Sequence, residues 1–432
     1  MEHTESRAAA PSLTFEEALE YVTSQGRFGI KLGLERMHAL LGELGHPERG
    51  KRGVHIAGTN GKGSTSAFLE GILRAGGLHV GMMPSPHLSS YRERVRLDTT
   101  SISEQDFAAA VTGLKPALER VRQRLGQPTE FEILTAMALD WLAPRSDRLV
   151  IEVGMGGRLD STNVLDLGVA LITNVTLDHL QHLGSTVGRI AEEKAGIIKP
   201  GSVVVTGAAG EALSVVERTA AARGAAALWR LGEEIRFEYR WLGWEGTEFD
   251  VEGPGFSHRG LRSRMLGGFQ ATNAALAVAA AHALGDATPA AVREGVEAAR
   301  WPGRLDLAGE RLLLDGAHNE DGLRELTASL RSLLGDARLV VVFGVMADKD
   351  LDAMLAQLRR MEPERVVFTS ASSAGLRAAP PDELATRWAL ESETIPDAFE
   401  ALARARQIAG PEGWVVACGS LYLVGELLGE GS

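Results

Sequence analysis

Short β-branched runs, each followed by a glycine-bearing loop and a longer amphipathic stretch, constrain the fold of this chain more than any other feature. GVHIA (53–57), RLVIEV (148–153), VALITNV (169–175) and SVVVTG (202–207) are strand-length and rich in residues that suit a pleated surface. The stretches between and after them, such as residues 185–198, carry helical spacing. Such alternation implies a mostly parallel sheet with helices on both faces. Residues 226–252 break the rhythm. Apolar and polar residues alternate there between turn glycines, which predicts antiparallel strands at a sheet edge. A second series follows WPGRLDL (301–307), with RLLLD, ARLVVVFG, RVVFTS and GWVVACG as its strands. At 432 residues the chain exceeds what one core usually serves, and Pro302 and Gly303 punctuate the pattern. The expectation is an α/β protein of two domains: residues 1–300, with a mostly parallel sheet and, after its first strand, the glycines and lysine of a P-loop (GTNGKGS), and residues 301–432, a smaller Rossmann-like α/β domain.

Composition narrows the function. An apolar content of 44% and a charged content of 24% are ordinary for a soluble globular protein. A net charge of −12 argues against a sequence-independent nucleic-acid binder but permits a local basic pocket. Cys418 is the only cysteine, which excludes an intrachain disulfide and fits a reducing compartment. MEHTESRAAAPS lacks the apolar centre of a signal peptide, and no run of about eighteen apolar residues goes without a charge. The cytoplasm, with no membrane association, follows by elimination.

The chemistry-bearing residues cluster after strands, where open α/β sheets place their ligands. Gly58, Gly61 and Gly63 surround Lys62 in the loop between a strand ending at Ala57 and a helix. Glycines let backbone N–H groups turn toward a phosphate, a helix N-terminus adds partial positive charge, and Lys62 adds a full one. Ser64 or Thr65 is placed to reach a metal. The loop departs from G-x-x-x-x-G-K-[ST], because Ile56 replaces the first glycine and Gly63 follows the lysine. Ser85, in SPHL, fits either a metal ligand or an ordinary Ser-Pro turn. Glu152 ends an apolar run, where a carboxylate suits Mg²⁺ or an ion pair with an arginine such as Arg158. Asp178, His179 and His182 follow another strand. Lys194, in EEKAGIIK, reads by itself as a solvated lysine paired with Glu192 or Glu193. In the second domain Asp315 ends a strand and Arg304 lies just past the hinge; each fits a nucleotide site or, equally, a cap and an interdomain ion pair. Ser420 starts a helix and needs no role beyond capping it.

GTNGKGS, SPHL, ERV, EVGMGGRLDSTN, NVTLDHLQHLG, EKAGIIKPG, FQATNAALA, WPGRL, DGAHN and ACGSLYLVGEL occur in one order along residues 14–428. As a set they resemble the folylpolyglutamate synthase and dihydrofolate synthase family, a branch of the Mur-type ATP-dependent ligases. Gly63 is part of that likeness, since the peptidoglycan branch has GTNGK followed directly by Ser or Thr. The resemblance implies ATP-phosphate contacts from Asn60, Gly61, Lys62, Gly63 and Ser64, and nucleotide contacts from Asn273, Arg304 and Asp315. It implies Mg²⁺ ligation by Ser85, Glu152 and His179. It also implies a carbamate on Lys194, which reverses the bland reading of that lysine, and leaves a monovalent cation as a further cofactor. His318 and Ser420 match residues linked to glutamate handling. Gly33, Leu34, Phe131, Leu159, Asp160 and Ser161 match the pterin-binding side. The implied reaction is glutamate ligation to folate or dihydropteroate through an acyl phosphate, catalysed by a monomer with Lys62, Lys194 and His318 as catalytic groups.

Two other readings compete. A peptidoglycan amino-acid ligase carries an extra N-terminal domain, for which the roughly 50 residues ahead of the loop are too few. A non-ligating nucleotide switch needs neither the EVGMGGRLDSTN loop nor a second α/β domain bearing DGAHN.

Overall fold

The computed structural model describes residues 13–28, 33–178, 183, 184 and 186–429. In the first part of the chain, β1 (Arg52–Ala57), β2 (Val80–Met83), β3 (Arg96–Leu97), β4 (Thr100–Ser101), β5 (Arg148–Glu152), β6 (Gly168–Ile172), β7 (Val203–Thr206) and β8 (Ala227–Arg230) form one sheet. Its order is β4-β3-β2-β5-β1-β6-β7-β8. The pairs from β2 to β8 are parallel, and β3 and β4 add an antiparallel margin. β1 is central, so the loop that leaves it opens over the middle of the sheet's carboxyl edge. Ile56 pairs with Glu152 in this ladder, which puts the Glu152 carboxylate beside the start of that loop.

Two apolar layers hold the sheet. On one face, Val54, Ile56 and Val150 pack against the helices Lys62–Ala75, Phe269–Leu284 and Pro289–Ala298. The alanine-rich Phe269–Leu284 is buried almost along its length, because small side chains let it lie close to the strands. On the other face, Met83, Leu149 and Ile151 meet the helices Phe15–Thr23, Glu35–Glu43, Glu104–Leu125 and Glu130–Leu142.

Residues 226–252 depart from expectation. β8 extends the large sheet in parallel, whereas β9 (Arg236–Trp241), β10 (Thr247–Gly253) and β11 (Phe256–Ser263) form a separate antiparallel sheet. Its apolar face, with Phe249, Val251 and Leu261, is taken up by the core around Phe269–Leu284, so it packs across the layer instead of lengthening the ladder.

The last part of the chain adds β12 (Asp306–Gly309), β13 (Leu312–Asp315), β14 (Leu339–Phe343), β15 (Arg365–Phe368), β16 (Ser392–Thr394) and β17 (Trp414–Cys418). Their order is β12-β13-β17-β14-β15-β16, all parallel except β12. Apolar clusters cover both faces, one around Leu313, Val341 and Phe368, the other around Leu314, Val342 and Ala417. Among the described residues no helix is long and apolar enough to cross a membrane.

Candidate active site

The loop after β1 is built around its glycines. Gly61 is left-handed (φ +83°), and a Cβ there would stand 2.4 Å from Asn273 Oδ1. A Cβ on Gly63 would stand 2.5 Å from Trp301 Nε1. The glycine that departs from the generic phosphate-loop spacing therefore makes room for an indole. That indole is covered in turn by the Arg96 guanidinium, 5.2 Å from the ring centre. Asn174, beyond β6, accepts from the Asn60 amide at 2.9 Å, and Thr173 donates to the Asn60 carbonyl at 2.7 Å. These contacts hold the loop against the strand edge at the start of the helix Lys62–Ala75.

Lys62 Nζ folds back onto the carbonyls of Gly58 (3.0 Å) and Thr59 (3.3 Å). Lys194 also donates to the Gly58 carbonyl, at 2.9 Å. Lys194 is 4% exposed, which overturns the reading of a solvated surface lysine; Glu193 pairs with Arg158 instead. Burial, reinforced by the Lys62 charge, lowers the Lys194 pKa to about 7. Glu152 is 1% exposed, and burial raises its pKa while Lys62 opposes the shift. One of its oxygens accepts weakly from the Ser85 amide at 3.4 Å. The other, Oε1, is buried without a hydrogen-bond partner. The Ser85 hydroxyl accepts from Arg94 at 3.4 Å.

The C-terminal sheet faces this loop. Asp315, at the end of β13, accepts from the amides of Leu305 (2.7 Å) and Ala317 (2.8 Å), and burial raises its pKa against the pull of Arg304. His318 Nδ1 lies 2.8 Å from the Gly316 carbonyl, so Nδ1 carries the proton and Nε2 is an acceptor. Burial, helped by Lys349, lowers its pKa to about 3, and the ring stays neutral. Asn319 caps the helix Glu320–Leu334 and exchanges side-chain amide hydrogen bonds with Asn60, at 3.0 and 3.3 Å. Asp178 receives Asn319 Nδ2 at 3.2 Å and Lys349 Nζ at 2.6 Å, an ion pair between the two halves of the chain.

These groups surround one cavity of about 840 Å³. Asn60, Gly61, Lys62, Gly63, Ser64, Ser85, Glu152, Lys194, Asn273, Arg304, Asp315 and His318 all line it. A phosphate loop, a second buried lysine, a carboxylate with an unsatisfied oxygen and an acidic strand end from another sheet suit the transfer of a phosphoryl group between two bound substrates.

Comparison with known proteins decides the lineage. Residues 56–281 match the Mur ligase middle domain, and residues 303–421 match the Mur ligase, glutamate ligase domain. The dihydrofolate synthase/folylpolyglutamate synthase of Bacillus subtilis is 39% identical over 356 residues, covering 80% of this chain and 82% of its own. The chain belongs to the folylpolyglutamate synthase/dihydrofolate synthase family of Mur ligases. Mycobacterium tuberculosis folylpolyglutamate synthase, solved with ADP and AMPPCP, superposes with a TM-score of 0.90 at 31% identity, over 96% of this chain and 98% of that one. Escherichia coli FolC, solved in complex with DHPP and ADP, gives 0.88 at 29% identity, over 98% and 99%.

Other expected residues stand elsewhere. His179 lies outside the described residues. Gly33, Leu34, Phe131, Leu159, Asp160, Ser161 and Ser420 are not in the cavity lining. Phe131 packs where a Cβ on Gly154 would be, and Leu34 precedes the helix Glu35–Glu43. Asp160 is buried, accepts from the amides of Met155 and Thr162, and caps the turn Ser161–Val164, so it shapes the EVGMGGRLDSTN loop from within. Ser420 accepts from the Tyr422 amide at 3.1 Å, as a capping hydroxyl does. Sequence reasoning gave no part to Lys349, Asn319 or Trp301. Lys349 follows β14 in GVMADKD, so the strand-end criterion applied to the other loops would have found it.

Proposed function

We propose that this chain is a bifunctional dihydrofolate synthase/folylpolyglutamate synthase, joining L-glutamate to dihydropteroate and to reduced folates at the expense of ATP. The carrying observation is the single cavity in which Lys62 of the phosphate loop faces Arg304, Asp315 and His318 of the C-terminal sheet. The substrate carboxylate attacks the γ-phosphorus of ATP, ADP leaves, and an acyl phosphate forms. The glutamate amine then attacks the acyl carbon, phosphate leaves, and the amide is made.

Lys62 swings from its own loop carbonyls to the phosphates, where neutralising charge lowers the first barrier. Asn273, Arg304 and Asp315 hold the nucleotide between the two halves of the chain. His318 Nε2, an acceptor on a neutral ring, takes a hydrogen bond from the incoming glutamate nitrogen; its low basicity suits positioning rather than proton storage. The Asn60–Asn319 and Asp178–Lys349 contacts close the site, which keeps water from the acyl phosphate.

Glu152 fits Mg²⁺ because a buried carboxylate oxygen without a partner is the hard anionic donor this ion takes. Glu152 and Ser85, with His179, would hold it, and it would supply positive charge to the phosphoryl oxygens. Lys194 fits a carbamate because burial brings its pKa down to about 7, so that near pH 7 about half of its amine is neutral, the form that adds CO₂.

The test is ADP release with dihydropteroate or tetrahydrofolate, with and without L-glutamate, followed by chain-length analysis of the product by mass spectrometry. Release that requires both substrates, with glutamate added to each acceptor, is expected. ADP release indifferent to both substrates would overturn the ligase reading.

A further inference from the structure

β9 carries three aromatic residues on one face, since side chains alternate along a strand: Phe237, Tyr239 and Trp241. The outer two are absorbed by different cores. Phe237 packs against the cluster around Phe269–Leu284, and Trp241 against the cluster of the C-terminal sheet. Tyr239 joins neither. Its cross-strand partner Phe249 is 1% exposed, but Tyr239 itself is 51% exposed and lines the cavity.

Its position relative to the phosphate loop is fixed by one helix. Tyr239 Oη stands 3.2 Å from where a Cβ on Gly268 would be, just before the helix Phe269–Leu284. Five residues on, about 7.5 Å at a rise of ~1.5 Å per residue, Asn273 meets Gly61 of the loop. That is the scale of the separation between the phosphates of a nucleotide and its base. Phe237 lies parallel to the ring within 9° at a centroid distance of 6.2 Å, an offset arrangement that a planar group in the cavity would extend.

We propose that Tyr239 is the stacking wall for the purine base of ATP, held over the cavity because its strand is anchored in both domains. This rests on the reading of the loop around Lys62 as the ATP-phosphate site. A stacking wall acts through its ring alone, so the hydroxyl should be dispensable and the phosphate end of the site untouched.

The experiment compares Tyr239→Ala, Tyr239→Leu and Tyr239→Phe in the full-length enzyme, with thermal melts to verify folding. The two non-aromatic variants should raise KM for ATP about 10-fold, the scale of a lost aromatic–base stack. Their kcat should stay within about twofold, and KM for dihydropteroate and L-glutamate should not move. Tyr239→Phe should match the parent. Inhibition by tripolyphosphate, which has phosphates and no base, should be unchanged in all three. An unchanged KM for ATP overturns the proposal, as does a rise confined to dihydropteroate, which would assign the ring to the pterin. Weaker tripolyphosphate inhibition in parallel with ATP also overturns it, since the loop itself would then be disturbed. ADP binding by calorimetry gives the same comparison without turnover. It therefore still decides the stacking question if the parent enzyme proves not to be a ligase.

Discussion

Lys62 and Lys194 donate to one acceptor, the carbonyl of Gly58, at 3.0 and 2.9 Å. Two ammonium groups no more than about 6 Å apart repel by roughly 3 kcal/mol at an effective dielectric near 20. The arrangement is relieved if Lys194 loses its proton, and relieved further if it becomes an anion. With its pKa at about 7, the neutral fraction rises as pH rises through 7 and falls below it. Activity should therefore drop as pH falls through 7 and be partly restored by added bicarbonate. Intact-mass measurement at pH 8 should find the protein heavier by one CO₂, absent from Lys194→Ala. That variant should lose about 100-fold in kcat, the scale of losing one preorganised electrostatic group. Full activity in Lys194→Ala would remove the lysine from the mechanism.

The contact between Gly63 and Trp301 makes a second prediction. Gly63→Ala puts a methyl 2.5 Å from Trp301 Nε1, too close for either the helix start or the indole to stay in place. The variant should raise KM for ATP and lower the melting temperature. Trp301→Leu alone should cost modestly through lost packing and the lost Arg96 cation–π contact. The double variant should recover part of the Gly63→Ala defect. Strict additivity of the two changes would mean that they do not interact.

What the sequence disclosed, and what it withheld, follows from the range of the interactions. The strand, loop and helix around Lys62 were readable because each is specified within a few residues, and β13 with Asp315 at its end was readable for the same reason. Lys194 read by itself as a surface residue, because nothing in EEKAGIIK says that the Gly58 carbonyl will lie above it. The reason for Gly63 was likewise hidden, since its partner comes from the distant WPGRL segment. The three-stranded sheet was recognisable as antiparallel from its alternation. Its detachment from the large sheet was not, because that depends on which core claims Phe249 and Val251.

Asn319 is expected to separate stability from catalysis. Its side chain caps the helix Glu320–Leu334 and also meets Asn60 and Asp178 across the cavity. Asn319→Ala should lose about 1 kcal/mol of stability from the cap. Asn319→Ser keeps a capping oxygen but is too short to bridge, so it should melt near the parent temperature. Both variants should show the same fall in kcat, with more ADP released per amide formed as water reaches the acyl phosphate. Tight coupling in both would show that the bridge does not control closure.

Glu152 is where function works against stability. Burial raises its pKa, so the fold favours the protonated form. That contribution to stability is complete below the ordinary carboxylate pKa and is lost as pH rises through the raised value. Above that raised value the fold carries a buried charge that Lys62 chiefly opposes, with a smaller contribution from Arg304, and one of its oxygens has no hydrogen bond. Glu152→Gln removes that charge at nearly constant volume. Its melting temperature at pH 8 should be no lower than the parent's, and its stability should vary less with pH across the acid range. Activity should nevertheless fall about 100-fold, and the Mg²⁺ concentration for half-maximal rate should rise, because the anionic donor is gone. Melts at several pH values and a Mg²⁺ titration of the rate measure both effects. An unchanged Mg²⁺ response would place the ion elsewhere, and a lower melting temperature would mean that the pairing with Lys62 outweighs the desolvation of the carboxylate.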